Sequence, residues 1–288
     1  MRGTIEAMSS TAQQKYIELK TLLASYRRVI VALSGGLDSS FVLYAAVDSI
    51  GIENTVAAIG ISASLAESEQ QFAEDFARKL GLPDSQILRI QTMEIEDDNY
   101  ASNPPNRCFF CKSELYQKLN QLADQRAHEI ICDGANASDI GDHRPGMIAA
   151  RENKVRSPLL EAGLNKDEIR ELARSFDLEV WDKPQSACLA SRIPYGSHVT
   201  VEKLRQIEEA EKYLRSLGFR QLRVRHHDQL ARIELPVEEM ICIINNGLRE
   251  PIIAKFRELG FLFTTLDIGG FKSGSMNIML KGKLDERE

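Results

Sequence analysis

The chain has 288 residues, 43% hydrophobic and 27% charged, with 36 Lys and Arg against 42 Asp and Glu and a formal net charge of −6. That apolar content fills a real core, which excludes disorder as the main state, and the length fits one large domain or two smaller ones. The acidic balance counts against a general nucleic-acid binder, and apolar runs such as 41–47 are too short to span a bilayer. The N-terminal MRGTIEAMSS has no apolar secretory segment. A cytoplasmic protein with neither nucleic acid nor membrane as partner is expected.

Helical periodicity runs over 11–27, with Tyr16, Leu19, Leu22 and Leu23 on one face. A buried-strand run follows at 28–33, then a helix over 39–50, a strand at 55–61, a helix over 67–80 ending at Gly81, and a strand at 86–90. After a turn-rich stretch (Asn103, Pro104, Pro105, Asn106) come a helix over 110–126 and a fourth strand at 129–132. A helix over 166–176 begins with Asn165 and Glu168 at capping-box spacing. Alternating strand and helix predicts an α/β domain with a parallel sheet covered on both faces.

Beyond about residue 197 the pattern changes. A helix over 201–217 ends at Gly218, and period-2 segments at 221–225 and 230–235 flank a turn at His226 to Gln229. Pro236 opens a helix to about Asn245, a further helix covers 249–259, and 261–266 is a last strand. This predicts a smaller α+β domain, with residues 183–197 as the joint. The expected division is therefore 1–197 and 198–288.

The strongest motif is Ser34-Gly35-Gly36-Leu37-Asp38-Ser39, directly after the first strand and before a helix. Two glycines let backbone approach an anion, the helix start offers free N–H groups, and Ser34 and Ser39 add hydroxyls. Asp38 would repel phosphate unless Mg²⁺ lies between them. No lysine closes the loop, so it is not the G-x-x-x-x-G-K-[ST] type. It resembles the pyrophosphatase loop of the N-type ATP pyrophosphatases, which transfer AMP to a substrate oxygen and release pyrophosphate. That family includes GMP, NAD and argininosuccinate synthetases and several thiolation enzymes.

Asp133-Gly134-Ala135-Asn136 follows the fourth strand and falls at the same sheet edge, where open α/β sheets bind ligands. It is either a polar, capping loop or, through Gly134, part of a nucleotide site. Asp139, Asp142 and Arg144 come next. Gly60 and Ser62, ending the second strand, are candidates to meet the adenine.

The five cysteines are Cys108, Cys111, Cys132, Cys188 and Cys242. An odd count without an export signal does not read as a disulfide framework. Cys108 and Cys111 form a C-x2-C pair, half of a metal or cluster site or else buried thiols at a helix start. Cys188 is the candidate third ligand and also a candidate nucleophile, with Lys183 and Arg192 as cations that would favour its thiolate if they lie close. Cys132 and Cys242 read as core.

Over nearly its full length the chain resembles the ATP-dependent sulfurtransferases that mature the nickel-pincer nucleotide cofactor of lactate racemase. The resemblance rests on Ser34 to Ser39, Trp181-Asp182-Lys183-Pro184, Cys188 to Gly196, and Leu222-Arg223-Val224-Arg225-His226 through Arg232-Ile233-Glu234. It implies a pyridinium bis-carboxylic acid mononucleotide as small-molecule substrate, whose carboxylates are adenylated and then thiolated. It also implies a homo-oligomer. One form of the family sacrifices the sulfur of the cysteine matching Cys188. The other binds a [4Fe–4S] cluster on three cysteines, and the presence of Cys108, Cys111 and Cys188 points to that form.

Arg223 and Arg225 share one strand face, and a hairpin would bring Arg232 and Glu234 near them. Two arginine forks suit a phosphate or carboxylate, or a charge-paired solvated face. The resemblance places Arg223, Arg225 and Glu234 in a site between the domains, with Glu211; Arg192, Arg223, Arg225 and Glu234 are the expected substrate or phosphate contacts, and Cys188, Asp38 and Glu211 the expected catalytic residues. The rivals are a tRNA thiolation enzyme, an ammonia-using synthetase, which would leave Cys188 idle, and a non-catalytic ATP-binding regulator.

Overall fold

The computed structural model describes residues 10–126, 129–141, 145–184, 186–245, 247–272, 275–277 and 279. The order is α1 (Ser10–Tyr26), β1 (Val29–Ala32), α2 (Leu37–Ile50), β2 (Thr55–Ile61), α3 (Glu67–Lys79), β3 (Ile87–Gln91), α4 (Asp98–Ala101), α5 (Arg107–Gln125), β4 (Ile130–Cys132), α6 (Pro145–Glu152), α7 (Pro158–Glu161), α8 (Lys166–Ser175), α9 (Val201–Ser216), β5 (Arg223–His227), β6 (Leu230–Glu234), α10 (Val237–Asn245), α11 (Arg249–Glu258) and β7 (Phe263–Leu266). The long elements fall where apolar periodicity places them. Helices α4, α6 and α7 are only 4 to 8 residues long, too short for that periodicity to show.

The described parts of Met1–Thr92 and Cys108–Ser186 form one compact unit. Its sheet is parallel in the order β3-β2-β1-β4, with Val29 beside both Thr55 and Ile130. Such a sheet needs apolar cover on both faces. One face meets α1, α2, α3 and α8 through Leu19, Phe41, Phe76 and Leu172, and the other meets α5 and α6 through Tyr116, Leu119 and Ala149. Because β2 and β4 flank β1 on opposite sides, the chain reverses its winding at β1. The switch point lies at the carboxyl ends of β1 and β4, the position where such sheets bind ligands.

The second unit joins Met93–Arg107 to the described parts of Ala187–Glu288. This differs from the expected division at 197/198, and hydrogen bonds explain the difference. The buried Asn103 amide donates to the carbonyls of Ile193 and Pro194, its own backbone carbonyl accepts from Gly196, and Ala101 accepts from Val199. In the sequence, Pro104-Pro105 marks a turn and nothing marks its long-range partners. The three-stranded sheet runs β5-β6-β7, antiparallel then parallel, with Leu214, Leu222, Val224, Ile233 and Phe256 in its core. The turn is shorter than the expected His226 to Gln229. His226 and His227 pair with Ala231 and Leu230, leaving Asp228 and Gln229 to turn. Among the described residues no helix is long and apolar enough to cross a membrane.

Candidate active site

The loop between β1 and α2 is tied by its serines. The Ser34 N–H donates to Ser39 Oγ at 3.1 Å, and the two hydroxyls lie 2.9 Å apart. Gly35 takes φ +73°, a conformation that favours glycine. Gly36 caps α2 in extended conformation, and its position supplies no side-chain cap for the first-turn amides. Helix starts leave such N–H groups without intrahelical partners, and with the dipole they form an anion site. Asp38 lies in that first turn, with its Oδ2 3.9 Å from Lys166 Nζ.

Gly134 stands against this turn. A Cβ there would lie 2.7 Å from Ser39 N and 3.0 Å from its Cα, so only glycine lets the β4 loop close on the start of α2. The rest of that loop is structural. Asp133 is buried and accepts from Tyr116 OH, Ser157 Oγ and the Ala135 N–H. Asn136 and Asp139 form a reciprocal cap. Gly60 lies one residue before the end of β2, beside Leu115, whose methyl carbons would stand 3.3 Å from a Cβ at that position, and the Ser62 hydroxyl accepts from Ser64 N–H at 3.2 Å. Asp142 and Arg144 lie outside the described residues.

Sequence reasoning passed over two groups at this loop. Lys166, the first residue of α8, reaches Asp38; its only sequence signal is its place after the cap Asn165. Glu69, in the first turn of α3, pairs with Lys183 at 2.8 Å, while Lys183 also donates to the Gly35 carbonyl at 2.9 Å.

In the second unit, Cys188 is exposed at the start of a 3-10 turn, Leu189–Arg192. Arg192 is 2% exposed. Its guanidinium donates to both Glu211 oxygens, at 2.9 and 3.1 Å, and to the backbone carbonyls of Ala187 and Cys188. Its contacts at Cys188 are therefore with backbone and not with the thiol. Glu211 also accepts from Arg215 and from the Val224 N–H. Burial alone would raise the Glu211 carboxyl, but Arg192, Arg215 and Arg223 outweigh it and hold it below the ordinary range.

The hairpin pairs Arg223 with Glu234 and Arg225 with Arg232, the shared face expected from the sequence. Arg225 donates to Glu234 at 2.7 Å, to Ser275 Oγ at 2.8 Å and to the Ser191 carbonyl at 3.0 Å. Arg232 reaches Glu234 and Asp267. Arg223 lies over the Phe271 ring, and burial together with the Arg192 charge pushes its guanidinium down to about 10. Among the described residues, five arginines (192, 215, 223, 225 and 232) thus meet three acids, Glu211, Glu234 and Asp267.

Cys108 and Cys111 sit three apart on α5 and so share a helix face, Cys108 exposed and Cys111 half-buried. They belong to the first unit and Cys188 to the second. Among the described residues no group of three or more His, Cys, Asp or Glu side chains is gathered as a metal site. Cys132 is fully buried in the first core, where burial pushes its thiol well up, and Cys242 packs on the second.

A Gly-rich helix start without a side-chain cap, at the reversal point of a parallel sheet, is an α/β arrangement consistent with the ATP pyrophosphatase, or PP-loop, class. The NAD synthase family model matches residues 11–121, which contain that loop. Over 93% of its length the chain is 41% identical to an uncharacterized protein of Synechocystis sp., covering 98% of it. Over 93% it is also 36% identical to the pyridinium-3,5-bisthiocarboxylic acid mononucleotide synthase of Lactiplantibacillus plantarum, covering 95% of it. The chain belongs to the family of that synthase. A tRNA-specific 2-thiouridylase of Azorhizobium caulinodans is 29% identical over 62% of the chain and 54% of its own length.

Proposed function

We propose that the protein uses Mg²⁺-ATP to activate the carboxylates of a pyridinium mononucleotide and replaces carboxylate oxygen with sulfur. The observation that carries the nucleotide half is the Gly-rich α2 start, which has no side-chain cap and is closed on one side by Gly134. The similarity to the bisthiocarboxylic acid mononucleotide synthase supports the substrate.

In this reading Ser34, Gly35, Gly36 and Ser39 hold the leaving phosphates, and Gly60 and Ser62 meet the base. Asp38 offers a hard oxygen donor at the loop, which suits Mg²⁺ better than it suits bare phosphate. A substrate carboxylate oxygen attacks the α-phosphorus, the bond to the β,γ-phosphates breaks, and pyrophosphate leaves with its electron pair. Fixed N–H groups stabilise the charge that develops. Attack by sulfur on the acyl carbon then releases AMP. Arg223 and Arg225 hold the substrate phosphate, with Glu234 orienting Arg225, and Arg192 and Glu211 shape the segment that carries Cys188. A [4Fe–4S] cluster on Cys108, Cys111 and Cys188 would supply sulfide; this rests on the cysteine pattern. The alternative is sulfur taken from Cys188 itself. Self-association accompanies this reading through the family resemblance.

The test is pyrophosphate release from Mg²⁺-ATP with and without pyridinium-3,5-biscarboxylic acid mononucleotide. Release that depends on this compound is expected. Release that requires tRNA instead would move the protein to the thiouridylases, and none with either would make it a regulator.

A further inference from the structure

The loop lacks the lysine that closes other phosphate loops, yet a lysine reaches it from 148 residues away. Lys183 Nζ donates to the Gly35 carbonyl at 2.9 Å and to Glu69 Oε2 at 2.8 Å, and it lies 3.4 Å from the centre of the Phe72 ring. Its side chain is 15% exposed, unlike a solvated surface lysine. We propose that Lys183 is a positioning residue for the nucleotide loop: held by Glu69, it fixes the Gly35 carbonyl and through that peptide aims the Gly36 N–H. This rests on the reading of the loop as the ATP phosphate site.

The geometry makes the link direct. A peptide unit is planar and trans, so its C=O and N–H point in opposite directions. Anchoring the Gly35 oxygen on one side sets where the Gly36 N–H points on the other. The alternative anchor is weak, since the Gly36 N–H stands 3.5 Å from Ser34 Oγ. On the α3 side, a Cβ at Gly35 would lie 3.3 Å from both Ala73 Cβ and the Glu69 carbonyl, so α3 forms the wall against which Lys183 draws the turn. Burying an ammonium is costly unless it is paired. Glu69 and the Phe72 face supply that pairing. Burial does push the amine below its ordinary range, with Glu69 acting against it.

The experiment uses the full chain. Mg²⁺-ATP binding is measured by calorimetry, and amide hydrogen exchange at Gly35 and Gly36 is measured without nucleotide, for wild type, Lys183→Met, Lys183→Arg, Glu69→Ala and the Met/Ala double variant. Loss of a charged hydrogen bond predicts that Lys183→Met binds about ten- to a hundredfold more weakly, with faster exchange at both glycines. Lys183→Arg recovers most of the affinity, and Glu69→Ala loses several-fold. The double variant is no weaker than Lys183→Met, because the two residues act as one unit. Wild-type affinity and exchange in Lys183→Met, or additive losses in the double variant, would overturn the proposal. If Lys183→Met does not fold, Glu69→Ala and Lys183→Arg decide: unchanged affinity in Glu69→Ala overturns it. If wild type binds no ATP, the nucleotide reading fails, and the exchange data still decide the role of Lys183.

Discussion

Gly134 approaches Ser39 so closely that a methyl group at 134 would stand 2.7 Å from the Ser39 nitrogen. Two loops that are far apart in sequence are locked backbone to backbone at the proposed phosphate site. Gly134→Ala must therefore move the start of α2 or the β4 loop. The expected result is a drop in ATP affinity of about tenfold or more with the fold retained, since misplacing N–H donors by a fraction of an ångström forfeits charged hydrogen bonds. Calorimetry with Mg²⁺-ATP and a thermal melt check this, and unchanged affinity would contradict it.

The Arg192–Glu211 pair is buried on both sides, at 2% and 1% exposure. Removing one partner of such a pair leaves an uncompensated charge and costs about 3–5 kcal/mol. Glu211→Ala should lower the stability measured by urea unfolding by that amount. Glu211→Gln, which can still accept from Val224 N–H and one arginine, should cost less. Equal stability of Glu211→Ala and wild type would show that the pair is not closed in solution.

Burial and the Arg192 charge push the Arg223 guanidinium down to about 10, with Glu211 acting the other way. Arg223→Met removes the guanidinium and keeps a side chain that can still pack on Phe271. It should weaken binding of a pyridinium mononucleotide by about tenfold, the worth of one charge-assisted contact. Binding by Arg223→Met at wild-type strength would contradict a role in holding phosphate.

His226 gives the second unit an acid-side weakness. Burial, reinforced by the Lys203 charge, lowers its imidazole from 6.5 to about 4. The unfolded chain then binds the proton more readily, so His226 contributes full stability above about pH 6.5 and loses it as pH falls towards 4. The melting temperature should fall through that window, and His226→Asn, which removes the titration, should flatten the fall. Glu74 acts separately at lower pH. Arg89 holds it at about 2, so its contribution is lost only as pH drops below its ordinary 4.5.

The sheet and the glycine turn after β1 were legible in the sequence because both are local. The VIVA run of β1, the turn of Gly35 and the cap at Asn165 each carry their own physical cause within a few residues. The face shared by Arg223 and Arg225 followed from strand alternation alone. What escaped was set by distant partners. Nothing near Asn103 shows that its amide binds Ile193 and Pro194, so the stretch 93–107 could not be given to the second unit. Lys183 and Glu69 are 114 residues apart, and no periodicity connects them. Gly134 drew notice as a glycine after a strand, but its reason, the Ser39 nitrogen, is visible only in three dimensions.

The most direct measurement of the central claim uses a pyridinium-3,5-biscarboxylic acid mononucleotide labelled with ¹⁸O in its carboxylates. After turnover with Mg²⁺-ATP, mass spectrometry follows the label. Activation by adenylation predicts ¹⁸O in the phosphate of AMP, with unlabelled pyrophosphate as the co-product. Label found in inorganic phosphate beside ADP, or AMP free of label, would contradict the account.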